Sequence, residues 1–458
     1  MTENPAHLPG QPTERAAFPP GLNNVFAFQA FNALSFQMVL SSPMVLYAKT
    51  LGASATVLGI ITGMTALLVI FQIPATQYVP RVGYKRFVLA GWGTRVMFIF
   101  GMVLVPLTGS FLNPTTRLSL MLLLLFAFNL SRGISSCAWL PWITSLLPAA
   151  IRGNYLAREA ACISVASFSA FLLAAFALGW DPQPWQFAVL FLFSAIMGVL
   201  SLVYLKRVPE GDTPEQVRTS TTPVPWREII GYPPFQKLLR MNVAWSVAVG
   251  GLTTFIVAFL KTEVALPERS IMLVTSVSFL GGLSSLWFLG SRIDLLGSKP
   301  VITFSLLAWL LILTGWVLIA AHIFPPGWPL LLGLQYFMGL ALALVNLSNM
   351  RLAMATIPVM GRSHFFALYS VIASLTLGMS PIFWGLFIDA LQPLHVDWRG
   401  FEWNRFSLFF TAVALMFLVT LALCRRLDEP QARTMEHLLR DVLEQSPLRV
   451  WFRLWPRG

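Results

Sequence analysis

The chain has 458 residues, of which 56% are hydrophobic and 11% charged, and its mean hydropathy is +0.71. Soluble domains carry about a quarter charged residues, so this composition excludes a soluble globular protein. The three cysteines show no paired spacing and no accompanying histidine cluster, which excludes a disulfide framework or a cysteine-based metal site.

Apolar runs of the roughly 20 residues that cross a bilayer as a helix recur along the sequence. In chain order, twelve spans are predicted at 23–47, 55–79, 87–109, 118–142, 159–178, 186–205, 238–260, 270–290, 301–322, 328–350, 365–389 and 406–424. A helix satisfies its own backbone hydrogen bonds in lipid. We therefore predict an all-α integral membrane protein.

Basic residues are distributed unequally over the two sides of the predicted membrane. With twelve spans both termini lie on one side, which holds 23 of the 31 lysines and arginines; the other side holds six, and two, Arg95 and Arg132, lie within spans. Loops rich in Lys and Arg stay in the cytoplasm. Both termini are therefore predicted to be cytoplasmic in the plasma membrane (the inner membrane of a bacterium), and the net charge of +12 does not indicate nucleic-acid binding.

Polar, proline-containing segments divide the chain into two equal bundles. The sequence predicts a disordered cytoplasmic N-terminus at 1–22 and a six-helix bundle at 23–205. It predicts a cytoplasmic linker at 206–237 and a second six-helix bundle at 238–424. Residues 425–458 predict a cytoplasmic tail with an amphipathic helix on the membrane surface.

Two loop sequences recur at equivalent points of the two bundles. At a shift of 210 residues, the matching pairs are Pro148 and Pro358, Arg152 and Arg362, Tyr155 and Phe365, Ala157 and Ala367, and Ser164 and Ser374. At a shift of 214 residues, Gly83 and Lys85 match Gly297 and Lys299. Parallel repeats of this kind characterise one class of secondary transporter.

With these features the chain resembles the major facilitator superfamily over essentially all twelve spans. The family's loop pattern Gly-x-x-x-Asp-(Arg/Lys)-x-Gly-x-(Arg/Lys) is matched in the second bundle at Gly290, Asp294, Gly297 and Lys299. The first bundle keeps Arg81, Gly83 and Lys85 but has Thr76 and Pro80 at the Gly and Asp positions. The resemblance implies two pseudo-symmetric bundles that work by alternating access, with loop contacts at these positions and at Arg152 and Arg362. The alternative for the loops is a turn with ordinary membrane-surface charges.

Arg132, in the fourth span, is the first candidate for substrate binding. A charge at mid-bilayer costs from about 3 to over 10 kcal/mol, so it usually faces a cavity or a partner. Asn129 and Trp139 are placed near the same helical face, and the resemblance implies that spans one, four, seven and ten line a central cavity. The guanidinium could bind a carboxylate or phosphate, or it could reach the interface or a backbone carbonyl. Arg95 is expected to make a structural bond away from the cavity, because the third span of the family faces lipid and the flanks.

Uncharged polar residues and one indole occupy the other spans that the resemblance places around the cavity. They are Gln29, Asn32, Asn242, Trp245, Gln335 and Asn346. Such groups bind small polar or amphiphilic molecules, although each one alone could instead join two helices. In span eleven, Gly378, Pro381 and Gly385 predict a kink, either a gating hinge or a static bend.

None of the 19 acidic residues lies in the middle of a span, so proton coupling has no support in the sequence. No nucleotide loop or nucleophile–base grouping is present, which argues against an enzyme or an ATP-driven pump. The predicted function is transmembrane transport of a small organic solute, anionic or amphiphilic, by a monomer that needs no cofactor. The alternative is a sensor or assembly factor that has this architecture but carries no flux.

Overall fold

The computed structural model of the chain describes residue 21 and residues 23–146, 152–210, 230–289, 297–356 and 362–427. The predictions for Gly290 and Asp294, for most of the N-terminal segment and linker, and for the amphipathic tail helix lie outside the described residues.

The first half of the chain, here the N-half, is helical. Its helices are α1 (Asn23–Leu40), α2 (Ser42–Thr50), α3 (Ala55–Leu67), α4 (Gln72–Ala75), α5 (Val79–Val82), α6 (Tyr84–Leu107), α7 (Pro114–Ser136), α8 (Trp139–Leu146), α9 (Arg152–Leu178) and α10 (Pro184–Lys206). Short 3-10 turns at Leu68–Phe71, Thr76–Tyr78 and Thr108–Ser110 extend α3, α4 and α6.

The second half, here the C-half, repeats this plan and adds one hairpin. Its helices are α11 (Pro233–Val249), α12 (Leu252–Thr262), α13 (Glu268–Leu289), α14 (Ser298–Ala320), α15 (Trp328–Thr356), α16 (Arg362–Ala390) and α17 (Arg405–Arg425). Strands β1 (Val396–Trp398) and β2 (Phe401–Trp403) pair antiparallel in the loop before α17.

Length and composition make most of these helices membrane-spanning. Eleven stretches of described helix are long and apolar enough to cross a membrane. Helix α13, with 22 residues and a length of about 33 Å, supplies the twelfth. The predicted twelve-helix, all-α membrane fold is thereby confirmed. The helices α9 and α11 begin five to seven residues before the predicted spans, at Arg152 and Pro233, because their polar first turns extend beyond the apolar run.

Two ends of the molecule are distinguished below. The proximal end is where α1 begins and α17 finishes; there Lys299 donates to the backbone oxygens of Arg425 (3.0 Å) and Leu427 (2.7 Å). The distal end is the opposite one, where the α9–α10 loop meets the start of α13 through a bond from the Arg269 N–H to the Gly179 oxygen (3.1 Å).

The first and seventh spans are not the continuous helices that the apolar runs predict. Span one breaks at Ser41, before the proline at Pro43, and span seven breaks at Gly250 and Gly251, where Gly251 adopts φ 78°. The second break lies about 210 residues after the first, so it follows the same internal repeat. The two turn glycines Gly83 and Gly297 also match, with φ of 86° and 87°, a conformation that strains any side-chain-bearing residue.

The halves meet where α3 packs on α16 and where α9 packs on α13. A Cβ added to Gly59 or Gly63 on α3 would overlap backbone oxygens of α16, and one added to Gly385 on α16 would overlap the backbone of α3. Small residues allow such close helix approach in membranes. Gly378 likewise lies against Leu67, and α16 runs without a break through Pro381. The residues predicted as a hinge therefore form the packing surface between the halves.

The glycine contact gives a first prediction. We expect Gly63→Ala to lower the thermal unfolding temperature of the detergent-purified protein, because overpacking costs about 1–3 kcal/mol. The control Gly333→Ala adds the same methyl on α15, where nothing lies within 4 Å, and should leave the temperature unchanged or slightly raised, since Ala favours a helix over Gly by about 1 kcal/mol. Equal unfolding temperatures for the two variants would contradict the close packing.

Candidate functional site

A polar cavity of about 430 Å³ lies within the N-half, here the N-half cavity. Its walls come from α1, α3, α6, α7 and the start of α8. Its charged and amide residues are Gln29, Asn32, Gln37, Arg95 and Arg132, and Trp92 and Trp139 add an aromatic side. Two arginines thus line one cavity inside the membrane region.

Arg95 is held firmly in the cavity wall. It is 5% exposed, donates from Nη2 to the Oδ1 of Asn32, and places its guanidinium 4.7 Å from the ring centroid of Trp92. Phe28 stacks on Trp92 with the centroids 4.8 Å apart. Cation–π contacts of this kind are worth about 2 kcal/mol or more when they are desolvated, so the aromatic layer fixes the position of the charge.

This location corrects the expectation that Arg95 lies on the flank. The third span, α6, contributes Trp92 and Arg95 to the cavity lining. The two residues are three positions apart and therefore lie on one face of the helix. The feature of the sequence that could have indicated this placement is Trp92, one turn before Arg95 in an apolar helix, because an arginine can lie over a tryptophan ring. Family resemblance alone assigned the span to the wrong side.

Arg132 lines the same cavity and is partly buried. Its Nη2 donates to the backbone oxygen of Thr65 on α3, which is the carbonyl partner that one of the two sequence interpretations foresaw. Its Nε has no hydrogen-bond partner among the described residues, and the same holds for the Nε of Arg95. Each guanidinium therefore donates a hydrogen bond to one neutral oxygen. A guanidinium has five N–H groups, so others can donate to a ligand.

The two residues predicted to lie near Arg132 on one helical face, Asn129 and Trp139, have different positions in the structure. Trp139 lines the cavity, but α7 ends at Ser136 and Trp139 begins α8, so the two do not share one continuous helical face. Asn129 is buried and donates to the Leu125 oxygen at 3.0 Å, away from the cavity lining.

The amides of α1 are oriented by α9. Gln29 donates its Nε2 to Oε1 of Glu159, and Gln37 donates its Nε2 to Oγ of Ser167 at 2.9 Å. Both side chains therefore combine a structural bond with a place in the lining. Glu159 is the first residue of the predicted span 159–178, and a position at the end of a span gave no sign in the sequence that it orients a cavity residue.

A second, smaller cavity of about 200 Å³ lies mainly in the C-half, here the C-half cavity. Asn346 points into it from α15, and Trp309 contributes an indole whose N–H has no partner among the described residues. Ser164 of α9 completes the wall. Ser164 lies one turn from Ser167, the partner of Gln37, so α9 connects the linings of the two cavities.

The remaining predicted residues of the C-half pack inside that half. Asn242 and Asn349 donate to each other, and the Tyr369 hydroxyl donates to Oδ1 of Asn242 at 2.8 Å, joining α11, α15 and α16. Trp245 packs edge-on against Trp309. Asn242 and Trp245, predicted as cavity residues, are not among the lining residues of the two cavities described here. Gln335 is fully buried, and its amide has no partner among the described residues.

The distal end is closed by a carboxylate that caps a helix of the other half. Asp389, at the end of α16, accepts from the backbone N–H of Ala55 (2.9 Å), the N–H of Thr56 (2.8 Å) and the Thr56 hydroxyl (2.7 Å). These groups form the N-terminus of α3, whose free N–H groups and positive dipole favour an anion. The contact bridges the halves at one end of the molecule.

A hydroxyl pair lies deeper on the same seam. Thr62 on α3 and Thr254 on α12 are 2.8 Å apart, oxygen to oxygen. Arg269 adds a cation–π contact across the seam, 5.4 Å from the ring centroid of Phe176 on α9.

The predicted loop residues lie at the proximal end. Arg81 is exposed, Lys85 is partly buried, and Gly83 and Gly297 form the turns before α6 and α14. Arg152 and Arg362 begin the equivalent helices α9 and α16, and their side chains lie outside what the structure describes.

The sequence profile of the Major Facilitator Superfamily matches residues 25–267 and 247–456, the whole of both halves. The chain belongs to the major facilitator superfamily. No curated protein matches it in sequence. Membership agrees with the twelve helices, the internal repeat and the two-bundle arrangement. The fold is that of a membrane transporter of small solutes.

Several solved structures share the fold. A D-xylose-proton symporter is 14% identical, with TM-score 0.71 over 89% of this chain and 98% of that chain. A mutant of the nucleoside transporter NupG is 12% identical, with TM-score 0.67 over 89% and 100%. The inward-open xylose transporter XylE from E. coli is 14% identical, with TM-score 0.66 over 92% and 99%. Their substrates differ, so the likeness is one of fold.

Proposed function

We propose that the protein carries a small organic anion across the plasma membrane by alternating access, with the N-half cavity as the site of the anionic group. The observation that supports this most strongly is the pair of guanidiniums, Arg95 and Arg132, that line one cavity and are each bonded to a neutral oxygen and not to a carboxylate. Buried charges without a counter-charge are costly. A bound carboxylate or phosphate, held by charge-assisted hydrogen bonds, removes that cost.

The rest of the solute extends toward the C-half. The C-half cavity offers the Asn346 amide beside a largely apolar lining that includes Trp309. A ligand with a hydrogen-bonding group and an apolar portion fits such a wall. Helix α9 lines the C-half cavity with Ser164 and bonds Gln37 of the N-half cavity through Ser167. Because α9 also lies at the contact between the halves, a solute that occupies both cavities would sense the relative movement of the halves.

The proposal also assigns the two ends of the molecule to the two sides of the membrane. In this proposal the proximal end faces the cytoplasm, as the excess of basic residues on that side favours, and the Asp389 and Thr62 contacts hold the two halves together at the opposite end. The transport unit in this proposal is the monomer.

A ligand screen followed by flux tests this function. Purified protein is heated with organic acids, phosphorylated compounds, sugars and nucleosides, and we expect anions to give the largest rise in unfolding temperature. The best anion, radiolabelled, is then offered to proteoliposomes, with protein-free liposomes as the control.

Uptake above the control supports the proposal. Stabilisation by sugars or nucleosides but by no anion contradicts the anionic site. Anion binding without flux under any gradient favours the alternative role, that of a sensor or assembly factor.

A further inference from the structure

The charge of the N-half cavity is unbalanced. Arginine stays protonated in proteins, so Arg95 and Arg132 place two positive charges on its wall. The acceptors that hold them, the Asn32 amide oxygen and the Thr65 carbonyl, are neutral. No ion pair among the described residues involves either guanidinium.

The acidic residues of the described helices are engaged elsewhere. Glu159 accepts a hydrogen bond from Gln29 of the cavity lining, and it forms no ion pair with either arginine among the described residues. At the distal end Glu263 pairs with Arg405 and Glu268 with Lys261. Counting Glu159 as ionised, the cavity still carries a net positive charge.

In alternating access, a cavity that is open at one end must first close there, so that it is shut at both ends, before its other end opens. While one end is open, water in the cavity solvates the exposed part of Arg132, whereas Arg95 is already only 5% exposed and is held by Asn32 and Trp92. Closure excludes that water, and an uncompensated charge in a low-dielectric interior is strongly unfavourable. The empty cavity therefore closes slowly, whereas a bound anion supplies the missing negative charge.

We infer that the protein is an anion exchanger: it changes its open side with an anion bound and does not return empty. This inference rests on the proposed function, since it concerns the anion that binds between Arg95 and Arg132. It specifies how transport is coupled. The anion that enters on one side is exchanged for an anion that leaves from the other, and the gradient of the second drives the first.

Single-molecule fluorescence tests the inference without knowledge of the substrate. Donor and acceptor dyes are attached at Thr115→Cys and Pro326→Cys, two exposed distal positions, one in each half. The native cysteines Cys137, Cys162 and Cys424 are replaced first. Transitions between high and low energy transfer then report opening and closing of the distal end in anion-poor buffer.

We expect the empty protein with both arginines to switch rarely. Arg95→Gln with Arg132→Gln should switch at least tenfold more often, a change that corresponds to about 1.4 kcal/mol in the barrier. Arg95→Lys with Arg132→Lys keeps both charges and should switch as rarely as the parent. Equal switching in the parent and the Gln variant, or a Lys variant that behaves like the Gln variant, overturns the inference.

Flux separates this inference from the proposed function. In proteoliposomes that carry the anion, efflux should accelerate at least tenfold when the same anion is supplied outside. A protein that releases the anion equally fast into anion-free buffer is still an anion transporter and is not an exchanger. A protein that moves no anion in either condition contradicts the proposed function itself.

Discussion

Arg132→Gln is expected to weaken anion binding by about 10- to 100-fold, because a hydrogen bond to a charged group contributes about 1.5–3 kcal/mol and each 1.4 kcal/mol is a factor of ten. Arg95→Gln should have a similar effect, since both guanidiniums face the N-half cavity. The pair of substitutions together should abolish measurable binding. Calorimetric titration with the anion found in the thermal screen gives the dissociation constants.

The matched control removes an equal charge from a surface position. Arg240 lies exposed on α11 and contacts only Gln236, at 3.5 Å, among the bonds that the structure describes. We expect Arg240→Gln to bind the anion as the parent does. Unchanged affinity in Arg132→Gln, or equal weakening in Arg240→Gln, would show that the anion does not bind at these arginines.

Asp389→Asn is expected to loosen the distal closure. The carboxylate accepts three hydrogen bonds from Ala55 and Thr56, and the substitution removes its charge and one acceptor oxygen. The loss of charge-assisted bonds at a helix N-terminus costs about 1.5–3 kcal/mol, so the distally open population should rise about 10- to 100-fold.

A cysteine at Thr254 reports this change. Thr254 is buried on α12 and bonds Thr62 across the closed seam, so it reacts with a membrane-impermeant maleimide only when the distal end opens. We expect at least tenfold faster labelling in Asp389→Asn than in the parent. Asp181→Asn, which removes the same charge from an exposed distal loop, should label at the parental rate. Equal rates for all three proteins would rule out a gating role for Asp389.

The sequence was sufficient to predict the architecture because membrane solvation constrains it so strongly. Apolar runs, basic asymmetry and loops repeated at a fixed shift each restrict the fold to two related bundles. The breaks in the helices of spans one and seven were harder to predict. Pro43 and the pair Gly250 and Gly251 were visible in the sequence, yet Gly and Pro also occur inside unbroken membrane helices, as Pro381 does in α16.

The site was predicted only in part, because helix rotation and packing decide which polar side chains face a cavity. Gln29, Asn32, Arg132, Trp139 and Asn346 do line cavities. Polarity alone could not separate these residues from those that join helices within one half.

The misplaced residues show how this happens. Asn242 has the same amide as Asn346 but faces Asn349 and Tyr369, so it joins three helices. Arg95 was assigned away from the cavity because the resemblance fixes an average orientation for its span. Its actual orientation is set by its stack on Trp92 and its bond to Asn32.

Two-sided accessibility of the N-half cavity tests the transport proposal most directly. Phe36 lines this cavity, and a cysteine placed there in a cysteine-free background can be exposed to an impermeant thiol reagent in vesicles of each orientation. We predict labelling from both membrane faces and protection from both by the bound anion. Labelling from one face alone, with or without the anion, would contradict alternating access.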